Sequence, residues 1–335
     1  MSTDPQSTLL ESAPAPAPSG STAPAAADNG AGWVSARPPR LAEIARRLLS
    51  FPRMLRDNWD LVSTSVRRDL AARFQGTVLG VAWPFLQPLL MFGVYFFIFT
   101  RLLQQKMPGL AEDQKAGMGV YMFVGMVAWS ALGETLGRGT GVVVDNGNLI
   151  KKLAFPSELL PLNVVLSTLT MMLCGMTVFV LAACVSPLWK APTAALLWLP
   201  VILLLQAFFT YGLVLFTSTL QVFLRDTQQI VGMAVTVWMF LTPVFWAPEA
   251  MKAESVAVHL PLITANPTYH LLRAWRGALM GDVYVPPSDD VSGGYAVSVA
   301  AIPHHLGVFA LWTLGVYILG YTFFVLSQRR FADEV

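Results

Sequence analysis

Apolar residues recur at three- and four-residue steps through Trp59, Val62, Val66, Leu70 and Phe74, while Asp60, Ser63, Arg67, Arg68 and Arg73 fall on the opposite side. That spacing predicts an amphipathic helix, a form that lies in a membrane interface with its apolar side down and its arginines among headgroups. Past Gln75-Gly76 the periodicity gives way to an apolar run with no charge before Arg101. A run of that kind can cross a hydrocarbon core of about 30 Å, which takes about 20 residues. Pro84 and Pro88 lie inside its start. A simple signal anchor needs neither the fused interfacial helix nor the prolines.

Five further apolar stretches follow, so the predicted spans cover residues 79–102, 118–137, 159–184, 194–223, 230–246 and 306–326. Upstream, residues 41–55 set Leu41, Ile44, Ala45, Leu48 and Leu49 against Glu43, Arg46 and Arg47, a second short basic amphipathic helix at the membrane surface. Residues 1–40 read differently. Ala13-Pro14-Ala15-Pro16-Ala17-Pro18 and the Ser, Thr, Gly and Ala around it offer no cluster of large apolar side chains, which predicts a disordered cytoplasmic tail. Without a basic start followed by an apolar core, the tail is not a signal peptide.

The predicted connections are unequal. Between the second and third spans, residues 139–158 carry Asn148-Leu149-Ile150-Lys151-Lys152-Leu153-Ala154-Phe155-Pro156. Between the fifth and sixth, residues 247–305 hold a stretch with a helical apolar face, Tyr269 to Leu279, which predicts order up to Gly281 and an exposed excursion over 282–303. With the N-terminus inside, fifteen of the 22 Lys and Arg residues fall in cytoplasmic segments and seven outside. That excess predicts both termini in the cytoplasm, and an even number of spans agrees.

Composition strengthens this reading: 55% of residues are hydrophobic, 13% are charged and mean hydropathy is +0.56. These values describe a polytopic membrane protein, since soluble domains carry about 25% charged residues. A net charge of +2 makes no case for a nucleic-acid partner. Cys174 and Cys184 sit on one predicted span about 15 Å apart, too far for a disulfide.

The chemistry is sparse. No glycine is followed by lysine, so the chain has no phosphate-binding loop of its own, and neither C-x-x-C nor H-E-x-x-H occurs. His304 and His305 are adjacent and point to different sides, as interface residues rather than metal ligands. Glu134 and Arg138 are spaced for an i, i+4 pair near the cytoplasmic end of the second span. Asp226 lies beside Arg225 at a span end. Mid-span carboxylates are missing, which counts against a proton-coupled carrier and a membrane glycosyltransferase. Aromatic residues in the spans serve packing or the interface, and some could stack on sugar rings.

Several motifs then fall in one order: Arg68-Asp69-Leu70 with Arg73-Phe74; Leu79-Gly80 with Trp83 and Gln87-Pro88-Leu89; Asn148-Leu149-Ile150-Lys151-Lys152 with Phe155-Pro156 and Leu160-Pro161-Leu162; Arg225-Asp226; Thr242-Pro243-Val244-Phe245; Asn266-Pro267 before Arg276-Gly277-Ala278-Leu279; and the ending Arg330-Phe331-Ala332-Asp333. As a set, from about Trp59 to the C-terminus, they resemble the permease subunits of type-2 ABC exporters of polysaccharides, such as O-antigen, capsule and teichoic-acid transporters.

The resemblance implies an all-α polytopic fold with six transmembrane helices, preceded by an amphipathic interfacial helix and carrying external re-entrant gate helices between the fifth and sixth spans. With the apolar pattern, it divides the chain into a tail (1–40), interfacial helices (41–76), a six-span domain (77–328, with the 282–303 excursion) and a cytoplasmic C-terminus (329–335); the tail and the excursion fall outside the resemblance. It implies a homodimer in the bacterial inner membrane, with both termini cytoplasmic, over a separate ABC ATP-binding subunit that carries the ATP and Mg. The chain itself would hold no cofactor or metal and would be no enzyme. The substrate would be a lipid-linked polysaccharide; the alternatives are a drug or lipid permease of the same type, or a membrane glycosyltransferase. Trp59, Arg67, Arg68, Asp69, Arg73 and Phe74 would form the interfacial or gate helix. Asn148, Leu149, Ile150, Lys151, Lys152, Phe155 and Pro156 would couple to the ATPase. Trp83, Gln87, Pro88, Pro243, Phe245, Trp246 and Trp275 would line the channel or its exit gate.

Overall fold

The computed structural model describes residues 41–102, 117–152, 156–185, 193–248, 251, 253–285 and 294–334. The predicted tail (1–40), Phe155 of the predicted coupling segment and the middle of the 282–303 excursion lie outside the described residues.

The helices run in the order α1 (Leu41–Asp57), α2 (Trp59–Phe74), α3 (Trp83–Tyr95, continued by a π-helical turn Phe96–Leu102), α4 (Gly117–Gly139), α5 (Val142–Asp145), α6 (Gly147–Lys152) and α7 (Leu159–Val185). Then come α8 (Leu199–Phe223, led by a 3-10 turn Ala194–Trp198), α9 (Thr227–Leu241), α10 (Ala253–Ala265), α11 (Pro267–Met280), α12 (Ile302–Ser327) and α13 (Phe331–Glu334). Among the described residues, five helical stretches are long and apolar enough to cross a membrane: Trp83–Leu102, Gly117–Gly139, Leu159–Val185, Ala194–Phe223 and Ile302–Arg330. Helix α9 is apolar but shorter, at 15 residues or roughly 22 Å.

Two predicted spans are trimmed by local chemistry. The first starts at Trp83 rather than residue 79, because Gly76 and Gly80 take φ values of 78° and 47° and break the chain after α2. Pro84 then sits in the first turn of α3, where its missing N–H has no helical partner to lose. The fifth ends at Leu241 rather than residue 246. Thr242 precedes Pro243 and is extended (ψ 137°), since a residue before proline is crowded out of the helical region.

One short sheet departs from the all-helical expectation. β1 (Val283–Val285) pairs antiparallel with β2 (Gly294–Val297). Val283 and Val297 are buried, and Asp282 Oδ1 accepts the Val299 N–H at 2.7 Å. The 282–303 segment is therefore pinned at both ends instead of being wholly exposed.

Helices α8 and α12 pack closest, through glycine. A Cβ at Gly212 would meet the Tyr317 Cα at 2.7 Å, and one at Gly320 would collide with the Gly212 carbonyl. Backbones approach this closely in membranes where small residues line the contact. Helix α1 docks part of its expected apolar face on protein. Ile44 and Phe51 are both 3% exposed, and the Phe51 ring sits among Phe208, Tyr211, Tyr317 and Tyr321 with centroids 5.5 to 6.4 Å away. Phe51 is thus seated on α8 and α12, while Ala45 and Leu49 of the same expected apolar face stay exposed.

Candidate coupling surface and translocation elements

At the end of α4 nearest α5, the expected Glu134–Arg138 pair belongs to a larger network. Arg73 Nη1 lies 2.6 Å from Glu134 Oε1, and Arg138 Nη2 lies 2.6 Å from Asp69 Oδ1. The within-helix contacts are longer, 3.5 Å for Arg73–Asp69 and 3.8 Å for Arg138–Glu134. Three half-buried charges and the exposed Glu134 thus cross-link α2 to α4, and the close contacts are those between helices. Asp69 and Arg73 face protein, which for Arg73 corrects the expectation of a place among headgroups; Arg67 and Arg68 are exposed. Trp59, at 52% exposure, and half-buried Phe74 complete the ends of α2.

Two one-turn helices follow. Val142 and Val143 of α5 are buried, and Asn146 closes the step to α6 by donating Nδ2–H to the Val142 carbonyl at 2.8 Å while its own carbonyl accepts from Leu149 and Ile150. On α6, Asn148 and Lys151 are exposed, whereas Leu149 and Ile150 are half-buried against the core. Lys152 closes α6, and Pro156 resumes the described chain ahead of α7. The α8–α9 corner on the same face is held by Gln221, whose Oε1 accepts the Gln228 N–H at 2.8 Å and whose Nε2–H reaches the Arg225 carbonyl at 3.1 Å.

Gln87 and Pro88 line a cavity of about 240 Å³ between α3, α4 and α7, with Met126, Glu134, Thr168 and Met172 among its other walls. Trp83 is half-buried at the head of α3.

The opposite ends of α4 and α9 meet α10 and α11 in a polar lock. Asn266 caps α11, its Oδ1 accepting from the Thr268 N–H, the Thr268 hydroxyl and Trp238 Nε1–H at 3.1, 2.7 and 2.9 Å. Its Nδ2–H donates to Thr242 Oγ1 at 2.9 Å. Pro243 is buried, and Phe245 and Trp246 are half-buried. Trp275 is fully buried and donates Nε1–H to Gln206 Oε1 at 2.8 Å, so its indole is held in the core of this chain.

Sequence reasoning missed the centre of this region. Arg276 is 0% exposed, and its guanidinium donates to the carbonyls of Tyr121, Pro243 and Val244 at 3.1, 2.8 and 2.9 Å while lying 3.4 Å from the Tyr121 ring centroid. Gly125 makes room for it, since a Cβ there would collide with Nη2. A signal was present: Arg276 falls four residues after Leu272 and three before Leu279, on the buried stripe of α11. Nearby, His270 Nε2 donates to the Thr264 carbonyl at 2.8 Å and its Nδ1 faces His305 Nδ1 at 2.9 Å. His305 is thus an internal contact, while His304 is exposed. Among the described residues, no three His, Cys, Asp or Glu side chains gather as a metal site.

The sequence profile of ABC-2 type transporters matches residues 60–280, from the first turn of α2 to the last residue of α11. The chain belongs to that family. This ABC-2 chain is also similar to the O-antigen export system permease protein RfbA of Myxococcus xanthus, 29% identical over 242 residues that cover 72% of this chain and 88% of the relative. A protein of the same name from Klebsiella pneumoniae is 26% identical over 226 residues, covering 67% and 82%. The family match takes in the α2–α4 charge network, α6 and the Arg276 lock, and leaves α1, the hairpin and α12 outside.

Proposed function

We propose that this ABC-2 chain is the permease subunit of an ATP-driven exporter that moves a lipid-linked polysaccharide, such as an O-antigen, across the bacterial inner membrane. The observation that carries the substrate class is the similarity, over more than four-fifths of their length, to relatives named for O-antigen export. In this reading α9 is a span as well, giving six, with α10 and α11 re-entrant from the outer side and both termini in the cytoplasm. Residues 77–328 are then the transmembrane domain and residues 41–76 its interfacial helices.

Two copies would enclose the conduit. The faces that support this are on α3 and α9, where Phe85, Leu89, Phe97, Ile230, Met233, Val237 and Phe240 are exposed in the single chain. The motor is a separate ATP-binding subunit that brings ATP and Mg, since this sequence has no phosphate-binding loop. ATP binding there can move the spans only through a rigid cytoplasmic contact. Helix α6 suits that role, with Asn148 and Lys151 outward and Leu149 and Ile150 seated on the core.

The test is Leu149→Asp together with Phe155→Asp in the assembled complex. Export of the glycan should stop while the two subunits still co-purify and ATP is still hydrolysed. Wild-type export in that variant would reject α6 as the coupling element.

A further inference from the structure

Helix α6 has six residues, and isolated helices shorter than about 12 residues do not hold their shape in water. If it transmits force, something must hold it. Behind it lies the C-terminal turn α13, which packs directly on α6. Phe331, the first residue of α13, is 0% exposed and meets Phe324 of α12 edge to face, with centroids 5.1 Å apart. Leu149 and Ile150 rest on the same apolar cluster that contains Phe331.

The chain leaving the α6 segment is fastened to the same place. Ser157 and Glu158, just before α7, are 2% and 6% exposed. Gln328 Nε2–H donates to Ser157 Oγ at 2.8 Å, and Gln328 Oε1 accepts from Arg47 Nη1 of α1 at 3.4 Å. Tyr211 of α8 adds its hydroxyl to the Glu158 carbonyl at 3.0 Å. The downstream flank of α6 therefore runs into the inner end of α12, α13 backs α6 itself, and α12 is locked to α8 through Gly212 and Gly320.

We propose that Phe331 and Gln328 are positioning residues that clamp the coupling helix to the end of α12, so that a push on α6 moves the α8–α12 pair as one body. This rests on the reading of α6 as the coupling helix. It gives the chain's last residues a mechanical role: they stiffen the contact with the motor without touching it. A soft backing would let α6 yield under load, and the stroke of the ATPase would be lost before it reached the spans.

The experiment compares Phe331→Ala, Gln328→Ala, Phe331→Met and Leu149→Asp in the complex with the ATP-binding subunit. Permease level, co-purification, ATP hydrolysis and glycan export are all measured. Phe331→Ala and Gln328→Ala should keep the level, the assembly and the hydrolysis and lose about five- to tenfold in export per ATP, the size of an ordinary coupling between sites. Phe331→Met, which preserves volume, should restore most of it. Should Phe331→Ala fail to accumulate, Gln328→Ala alone must show the split. Export per ATP at the wild-type ratio in the accumulating variants, including a proportional fall of both activities, would overturn the proposal. The Leu149→Asp arm separates the two failures: if it also exports normally, the coupling reading of α6 has failed; if it uncouples and the clamp variants do not, only the clamp has.

Discussion

Arg276 shows how much of the end built from α10 and α11 hangs on one side chain. A buried guanidinium is tolerable only when its donors are matched, and here three carbonyls from two separate segments meet it. Arg276→Ala would leave those carbonyls facing an apolar void, at about 1–3 kcal/mol for each group left without a partner. The apparent Tm of the purified protein should fall by several degrees. Arg276→Lys should fare little better, because an ammonium cannot reproduce the fork. His270 gives a pH dependence with a definite sign. Burial holds it below its ordinary 6.5; the Thr264 carbonyl opposes that, and His304 and Arg273 add to it. The Nε2–H donated to Thr264 leaves Nδ1 as acceptor for His305 Nδ1–H, so the fitted state is neutral, beside the Tyr269 ring. The unfolded chain therefore takes up a proton first as pH falls. The contribution is complete above the ordinary histidine value and is lost as pH drops through the folded one. Apparent Tm should decline as pH falls below the ordinary histidine value of 6.5, and His270→Gln, which can still donate to Thr264, should flatten that decline.

Among elements, the α8–α12 pair makes the sharpest claim. Gly212→Leu or Gly320→Leu must separate two backbones already in contact, an overpacking that costs about 1–3 kcal/mol or more. Each should reduce the amount of folded protein extracted from membranes, measured by size-exclusion recovery, whereas Gly315→Leu on an open part of α12 should not. This contact also marks where the sequence stops being legible. Uninterrupted apolar runs announced α4, α7, α8 and α12 to within a few residues, because a span is a one-dimensional property of composition. Which glycine faces which backbone depends on how helices rotate against one another, and that has no local signature. Helix α1 illustrates the same limit. Its periodicity gave the helix and its apolar side, but a lipid surface and the aromatic socket around Phe51 reward the same pattern. The Glu134–Arg138 spacing identified half of the charge network, and only packing revealed that its strong partners, Arg73 and Asp69, come from α2. Asn266-Pro267 was visible as a motif, yet its hydrogen bonds to Trp238 and Thr242 join residues more than twenty positions apart.

At the scale of the whole molecule, the two ends of the bundle are built for different work. One gathers α1, the charge network, α6 and α13; the other gathers the Arg276 lock, α10, α11 and the hairpin. The proposed orientation, which follows the distribution of Lys and Arg, puts the first in the cytoplasm, and the proposed mechanism fails if it is reversed. Helix α7 offers a direct check, since it carries both cysteines of the chain and begins a few residues after α6. Cys184 is exposed and lies roughly 38 Å from Leu159 at 1.5 Å per residue, farther than the hydrocarbon core is thick. It should emerge on the outside. In spheroplasts with the outer membrane removed, a membrane-impermeant maleimide should label native Cys184. The same reagent should leave Lys151→Cys, made in a Cys184→Ser background, unmodified until the cells are broken. Labelling of position 151 from outside would turn the bundle over, carry α6 away from any cytoplasmic ATPase, and remove the physical basis for driving the spans through it.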